Sequence, residues 1–559
     1  MRKVREFTKD EVVGIEAKHI TYVTNQNGKS NDLHVVKEIV HLKDKTLVPR
    51  LRFVEDYQRP YYITEKGQQN HKEKKDYEYL SKLRKYTSTQ INLAKSIANV
   101  TKHFGRPYLK ELSRNPYLYG SDVSSSSLLK SDYKKSFPDV SSPNTVAGGD
   151  IETNVYSSER EGEIICMSVT HKTNVFLAYL KDWVSDIDDP VQATLDELES
   201  IPELAKMKRV RNLDIQVVVV DTPVDIIKQC IGKLHEWKPD FFSFWNMNFD
   251  MSTILATLEH YGVDPKYIFS DPSVPNNYKY FYYKEDKPLN ISAGGVSKSK
   301  SPAEQWHWIT TPASFQCIDA MSTYRLVRLA GGKDSSYALD YILEKELSID
   351  VDAEIHTEED FSKLMGNLER KLKDTPESYP EFFISDPKED IVSLVEVPII
   401  ESIDGELVET GVETYEEIEP VWQSIDGLTF ENTVGLRGRI RVDFGKLKFA
   451  ETDHLTGIEW HKEMQLNHKI RYGLYNIIDS IRLEQLDEKT DDLARSVSLY
   501  SGFSDYKNFN SNPKKLCDSL HYWYLDQPEP KVIASSSDQM VSELDQYVVN
   551  HQQWIQKTV

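Results

Sequence analysis

Val146-Ala147-Gly148-Gly149-Asp150-Ile151-Glu152-Thr153 is the stretch on which the reading of this chain turns. Its first half is small and apolar, and its second half sets two carboxylates two positions apart. On a strand, alternate side chains share a face, so Asp150 and Glu152 project together while Ile151 turns to the core. Two carboxylates a few ångströms apart repel each other, and divalent cations relieve that repulsion. A solvated turn at a strand end is the competing reading of acid-x-acid. Gly148 and Gly149 speak against it, because a residue without a side chain lets backbone or ligand approach closely.

The flanking sequence sets this strand in a sheet. Residues 163–170 and 174–179 read as further strands, giving a meander with 146–153. Residues 215–220 are a continuous β-branched run and read as a buried strand. Residues 223–237 have helical period, 240–245 form a short aromatic strand, and 250–261 a helix. Three strands followed by alternating helices and strands imply the α/β (α+β) class, a mixed β-sheet covered by helices.

Around this core the chain divides by composition. Its 559 residues are 39% hydrophobic, 11% aromatic and 28% charged, enough for two to four domains with buried cores. Residues 1–145 read as mixed β and helix, with strands at 20–23 and 33–40 and helical period over 77–103. A first part of the central domain, 146–349, leads to an acidic insertion, 350–436, of weak periodicity. Helical pattern resumes over 456–488 in a second part, 437–489. A tail, 490–559, is expected to return to the N-terminal domain.

The formal charge of −21 argues against a nucleic-acid partner only until it is mapped. Residues 1–120 carry 24 Lys and Arg against 14 Asp and Glu, a surplus of +10. Residues 350–436 carry 5 against 24, nearly the whole acidic excess. Local charge is therefore the better guide to partners. Cys166, Cys230, Cys317 and Cys517 are scattered, which excludes a C-x-x-C zinc pattern and fits a reducing cytoplasm. No apolar run is long enough to span a bilayer, and the basic start leads into acidic residues rather than a secretory core, so no membrane partner is expected.

Two more carboxylates stand where chemistry is plausible. In Trp245-Asn246-Met247-Asn248-Phe249-Asp250, Asp250 closes a strand and opens a helix. It reads either as an N-cap or as a site residue beyond the carboxyl end of a strand. In Tyr475-Asn476-Ile477-Ile478-Asp479, the phenol and carboxylate share a helix face, and the apolar residues at 470, 474, 477, 478 and 481 indicate a packed helix.

Taken in order, Asp-x-Glu on a first strand, Asn-x-x-Phe-Asp at a strand-to-helix turn and Tyr-x-x-x-Asp on a later helix resemble the three exonuclease motifs of the DnaQ-like superfamily, whose fold is RNase H-like. Cys317-Ile318-Asp319-Ala320-Met321-Ser322-Thr323-Tyr324 and Ser336-Tyr337-Ala338-Leu339-Asp340-Tyr341-Ile342 resemble the stretch between the second and third motifs in family B DNA polymerases of large tailed phages. Asn115-Pro116-Tyr117-Leu118-Tyr119-Gly120-Ser121-Asp122 and Tyr133-Lys134-Lys135-Ser136-Phe137-Pro138-Asp139 resemble the lead into the first. The resemblance covers roughly residues 100–345 and 440–500. One spacing departs from it: two residues separate Asn246 from Phe249, where the polymerases often show three.

The resemblance implies a proofreading 3′→5′ exonuclease, with a polymerase-type N-terminal domain over 1–145. It implies two Mg²⁺ ions, with Mn²⁺ as a substitute, held by Asp150, Glu152, Asp250 and Asp479. Tyr475 would orient the attacking water, and Asn246 and Phe249 would contact the substrate. Implied partners are a single-stranded DNA 3′ end, primer-template and, on the family pattern, a sliding clamp. The palm motifs of family B are absent; Ser498-Leu499-Tyr500-Ser501 imitates one, but Arg495 stands where it needs an Asp. A separate subunit carrying palm, fingers and thumb is therefore expected. The rival readings are a free-standing nuclease, an RNA-directed nuclease and a non-catalytic replisome scaffold.

Overall fold

The computed structural model describes residues 7–291, 297–347 and 455–534, and within 348–454 four strands and a few isolated positions. It is a mixed α/β protein. Alternating β-branched residues build an antiparallel sheet from β1 (Val12–Thr24), β2 (Asp32–Leu42) and β3 (Leu47–Glu55). The Ser125–Ser136 helix packs Leu129 and Tyr133 against Ala17, Ile20 and Val36 of that sheet.

A second small sheet joins β4 (Arg59–Thr64), β6 (Leu83–Ser88) and β7 (Leu118–Tyr119), while β5 (Tyr77–Tyr79) pairs with the Lys531–Ile533 strand near the other end of the described chain. Helical period over 77–103 is thus overturned in its first half, and the helix occupies only Leu93–Thr101. Tyr and Thr in the first half fit a pleated surface, and the pairing Tyr61↔Tyr86 outweighs the local period.

The central sheet has the order β11-β10-β9-β8-β12-β13, with β8 at Val146–Thr153, β9 at Ile164–His171, β10 at Asn174–Leu180, β11 at Asp214–Val220, β12 at Phe241–Phe244 and β13 at Gln316–Asp319. β8, β9 and β10 run antiparallel in sequence, and β12 and β13 lie parallel to β8 on its other side. The Pro223–Trp237 helix buries Ile226, Ile227, Cys230, Ile231 and Leu234 against the sheet. β11 corrects the sequence reading. It is a sheet edge, with only Val217 of its seven residues buried, so its β-branched run reflects strand geometry rather than enclosure on both faces.

The helical stretch of 456–488 is two helices, Gly457–Asn467 and Lys469–Thr490, broken at His468. Strands Ile349–Ile355, Pro380–Ile403, Glu406–Ser424 and Leu436–Phe444 pair as a separate four-stranded sheet across the acidic stretch, where the sequence offers only weak periodicity. Among the described residues no helix is long and apolar enough to cross a membrane.

Candidate active site

β8 lies in the middle of the central sheet, and its alternation is the expected one: Ile151 is buried in the main core, while Asp150 and Glu152 share the opposite face. The Lys469–Thr490 helix lies across that face. Gly148 makes the approach possible, since a Cβ there would stand 2.2 Å from the Ser480 carbonyl oxygen. β9 grips the same helix: Ser168 donates from Oγ to the Asn476 carbonyl at 2.8 Å, and Thr170 from Oγ1 to the Ser480 carbonyl at 3.2 Å. These contacts carry Asp479 over β8.

Asp250 arrives from the other side. The chain leaves β12, which runs parallel to β8, and enters the Met247–His260 helix. That helix starts three residues earlier than the sequence suggested. Asn246 holds the N-cap position without a side-chain capping bond, so Asp250 is a buried residue of the first turn rather than a cap.

The four carboxylates form one electrostatic unit. Burial pushes Asp150 well above the usual carboxylate range, and the charges of Glu152 and Asp479 push it further. Burial raises Glu152 to about 8, with Asp479 and Asp250 contributing. Asp250 is raised by burial and then by Asp150. Asp479 reaches about 6, burial being offset in part by the nearby Arg482 guanidinium. Tyr475 faces Asp479, whose charge is the first cause holding its phenol protonated, and its ring packs 5.0 Å from that of Trp460.

Two partners were not evident from the sequence. Asn476 donates from Nδ2 to Asp150 Oδ2 at 2.6 Å. Tyr472, fully buried, donates its hydroxyl proton to Glu152 Oε2. The Tyr472 oxygen then accepts from Gln465 Nε2 at 3.2 Å and lies 2.8 Å from His461 Nδ1, which must carry the proton on that nitrogen. Both residues face the sheet from the same helix as Tyr475 and Asp479. The available signal was a polar Asn among apolar neighbours in a packed helix.

Phe249 is 54% exposed, not in the core, and Asn246, whose carbonyl accepts from the Phe249 N–H at 3.0 Å, is half-buried. Tyr324 and Trp245 take structural places: Tyr324 is buried, and Trp245 donates from Nε1 to the Tyr337 carbonyl at 2.9 Å. Asp319 is a buried carboxyl near Asp250, raised by burial to about 7, and it accepts from the backbone N–H groups of Met247 and Ser322. It fixes the entry to the Met247–His260 helix.

Among the described residues no three His, Cys, Asp or Glu side chains stand as a group that could hold a metal ion as placed. The donor set nonetheless suits a hard divalent cation: four carboxylates raise one another's affinity for positive charge, and Asp479 Oδ1 is buried with no hydrogen-bond partner among the described residues. No protein-family model matches the chain, and no curated protein matches it.

Proposed function

We propose that this chain is a 3′→5′ exonuclease that hydrolyses single-stranded DNA ends, the proofreading part of a family B-type polymerase assembly. The observation that carries the reading is that Asp150 and Glu152 at the end of β8 are hydrogen-bonded by Asn476 and Tyr472 of the helix that carries Asp479, while Asp250 opens the helix that follows the parallel strand β12. The carboxyl ends of parallel strands are where open α/β sheets place their chemistry.

Asp150, Glu152, Asp250 and Asp479 would hold two divalent ions, Mg²⁺ or Mn²⁺, which when bound supply a more acidic water and neutralise charge at the scissile phosphate. Asn476 and Tyr472 fix the rotamers of Asp150 and Glu152. Tyr475 stays protonated and so acts as a hydrogen-bonding guide for water, not as a base. Phe249, exposed and one residue before Asp250, would offer its ring to the terminal base, with Asn246 as a further contact. Water oxygen bonds to phosphorus, the P–O3′ bond breaks, its oxygen leaves with a proton, and a deoxynucleoside 5′-monophosphate departs.

The test is degradation of a 5′-labelled single strand with Mg²⁺. The chain should shorten it from the 3′ end, and Asp150→Ala should lower the rate about a thousandfold. Equal rates would remove the enzyme reading and leave the scaffold one. A matched RNA strand decides the sugar preference. On the resemblance, the same proposal includes a separate polymerase subunit, tested by co-purification.

A further inference from the structure

Residues 101–115 carry Lys102, Arg106, Lys110 and Arg114 against Glu111, a surplus of +3 in a chain of charge −21. The segment is pinned at both ends. The Leu93–Thr101 helix buries Leu93, Ile97 and Ala98 and stops at Lys102, which is left-handed at φ 56°. Beyond the loop, Leu112 is buried in the same cluster, with Leu109 packed on it. Between these anchors Gly105, at φ 119°, turns the chain outward.

What the pinned loop presents is open to solvent. Phe104 is 94% exposed and Tyr108 50%, and Lys102, His103, Arg106, Lys110 and Arg114 are exposed around them. The Arg106 guanidinium stands 5.3 Å from the Tyr108 ring. An open groove of about 540 Å³ lies beside the loop, with Lys102, His103, Phe104 and Arg114 on its wall together with Glu111 and Leu112.

A phenylalanine exposed to this degree contributes nothing to a core. Exposed rings set among cations suit a polymer that alternates flat apolar faces with phosphates. Duplex DNA hides its base faces. An acidic peptide would satisfy the cations but gives the rings no flat partner. We propose that this loop and the groove beside it form a second nucleic-acid surface, taking single-stranded DNA with bases stacked on Phe104 and Tyr108 and phosphates on Lys102 and Arg106. The choice of DNA rests on the nuclease reading above. Leu112 of the groove belongs to the small core of Tyr61, Ile97 and Leu118, apart from the core beneath the carboxylates, and among the described residues a single carboxylate, Glu111, lines it, so it holds strand and does not cut it.

Fluorescence anisotropy of a labelled oligo-dT of about twelve nucleotides, with the full chain in EDTA, tests this. Phe104→Ala should weaken binding about fivefold or more. Arg106→Gln should weaken it and flatten its salt dependence. A duplex of equal length should bind less tightly than the single strand. Unchanged affinity in Phe104→Ala overturns the proposal, as does tighter binding to oligo-rU or to anionic phospholipid vesicles. Hydrolysis with Mg²⁺ is read separately. Binding that depends on Phe104 without strand shortening sinks the nuclease and keeps the groove; shortening with binding indifferent to Phe104 does the reverse.

Discussion

Asn476 holds Asp150 by a single bond, Nδ2 to Oδ2 at 2.6 Å, which ties the crossing helix to the strand beneath it. The other polar side-chain atom of Asn476, Oδ1, is buried without a partner among the described residues. The amide is thus kept in place despite an uncompensated acceptor, which is poor economy for a purely structural residue.

Asn476→Ala should accordingly separate rate from stability. Removing the donor frees Asp150 to turn, and loss of a residue that orients a metal-binding group lowers activity about 10–100-fold. Removing the orphaned acceptor offsets the lost bond, so stability should change by about 1 kcal/mol or less. Single-turnover hydrolysis and urea unfolding measure the two. An unaltered rate would show that Asp150 needs no help from the helix.

Tyr472→Phe should behave differently. The ring and its contacts to Trp460 and Tyr475 survive, but Glu152 and His461 lose a buried partner. Stability should fall by about 1–3 kcal/mol along with the rate. A variant as stable as the parent would contradict the hydrogen-bonded chain through Gln465 and His461.

Gly148→Ala tests the close approach of the helix. Its Cβ would meet the Ser480 carbonyl oxygen at 2.2 Å, a backbone atom, and a Cβ has no rotamer by which to turn away. Overpacking of this kind costs about 1–3 kcal/mol, and Asp479 should be displaced from the site with loss of nuclease activity. Gly232→Ala is the control. Among the described residues nothing lies within 4 Å of a Cβ there, and it sits inside the Pro223–Trp237 helix, so the change should stabilise by about 0.5–1 kcal/mol. Equal melting temperatures for the two variants would refute the argument.

The sheet was legible because its strands carry their own signals. Val146–Thr153 and the Pro223–Trp237 helix are found where period and flanking turns put them. What escaped depends on contacts distant in sequence. Tyr472 and Asn476 gain their meaning only when the helix crosses β8, more than three hundred residues away along the chain. Residues 77–88 carry helical period but find partner strands, and a partner overrides period. The edge position of β11 is likewise a property of the sheet's order, not of its own residues.

Protonation gives the last prediction. Glu152 binds its proton up to about pH 8 in the folded chain, against an ordinary value of 4.5, and Asp479 up to about 6 against 3.8. The folded state therefore holds more protons than the unfolded one across these windows, and stability must fall as pH rises. For Glu152 the loss begins near 4.5 and levels off above 8; for Asp479 it runs from 3.8 to 6. In chelator, the melting temperature should drop between pH 5 and 8, and the drop should shrink in Glu152→Gln. Millimolar Mg²⁺ or Mn²⁺ should restore stability at pH 8 and do little at pH 5, because bound cations compete with the same protons. A melting temperature indifferent to divalent ions at pH 8 would mean that the four carboxylates do not share a cation, and the two-ion reading would fall with it.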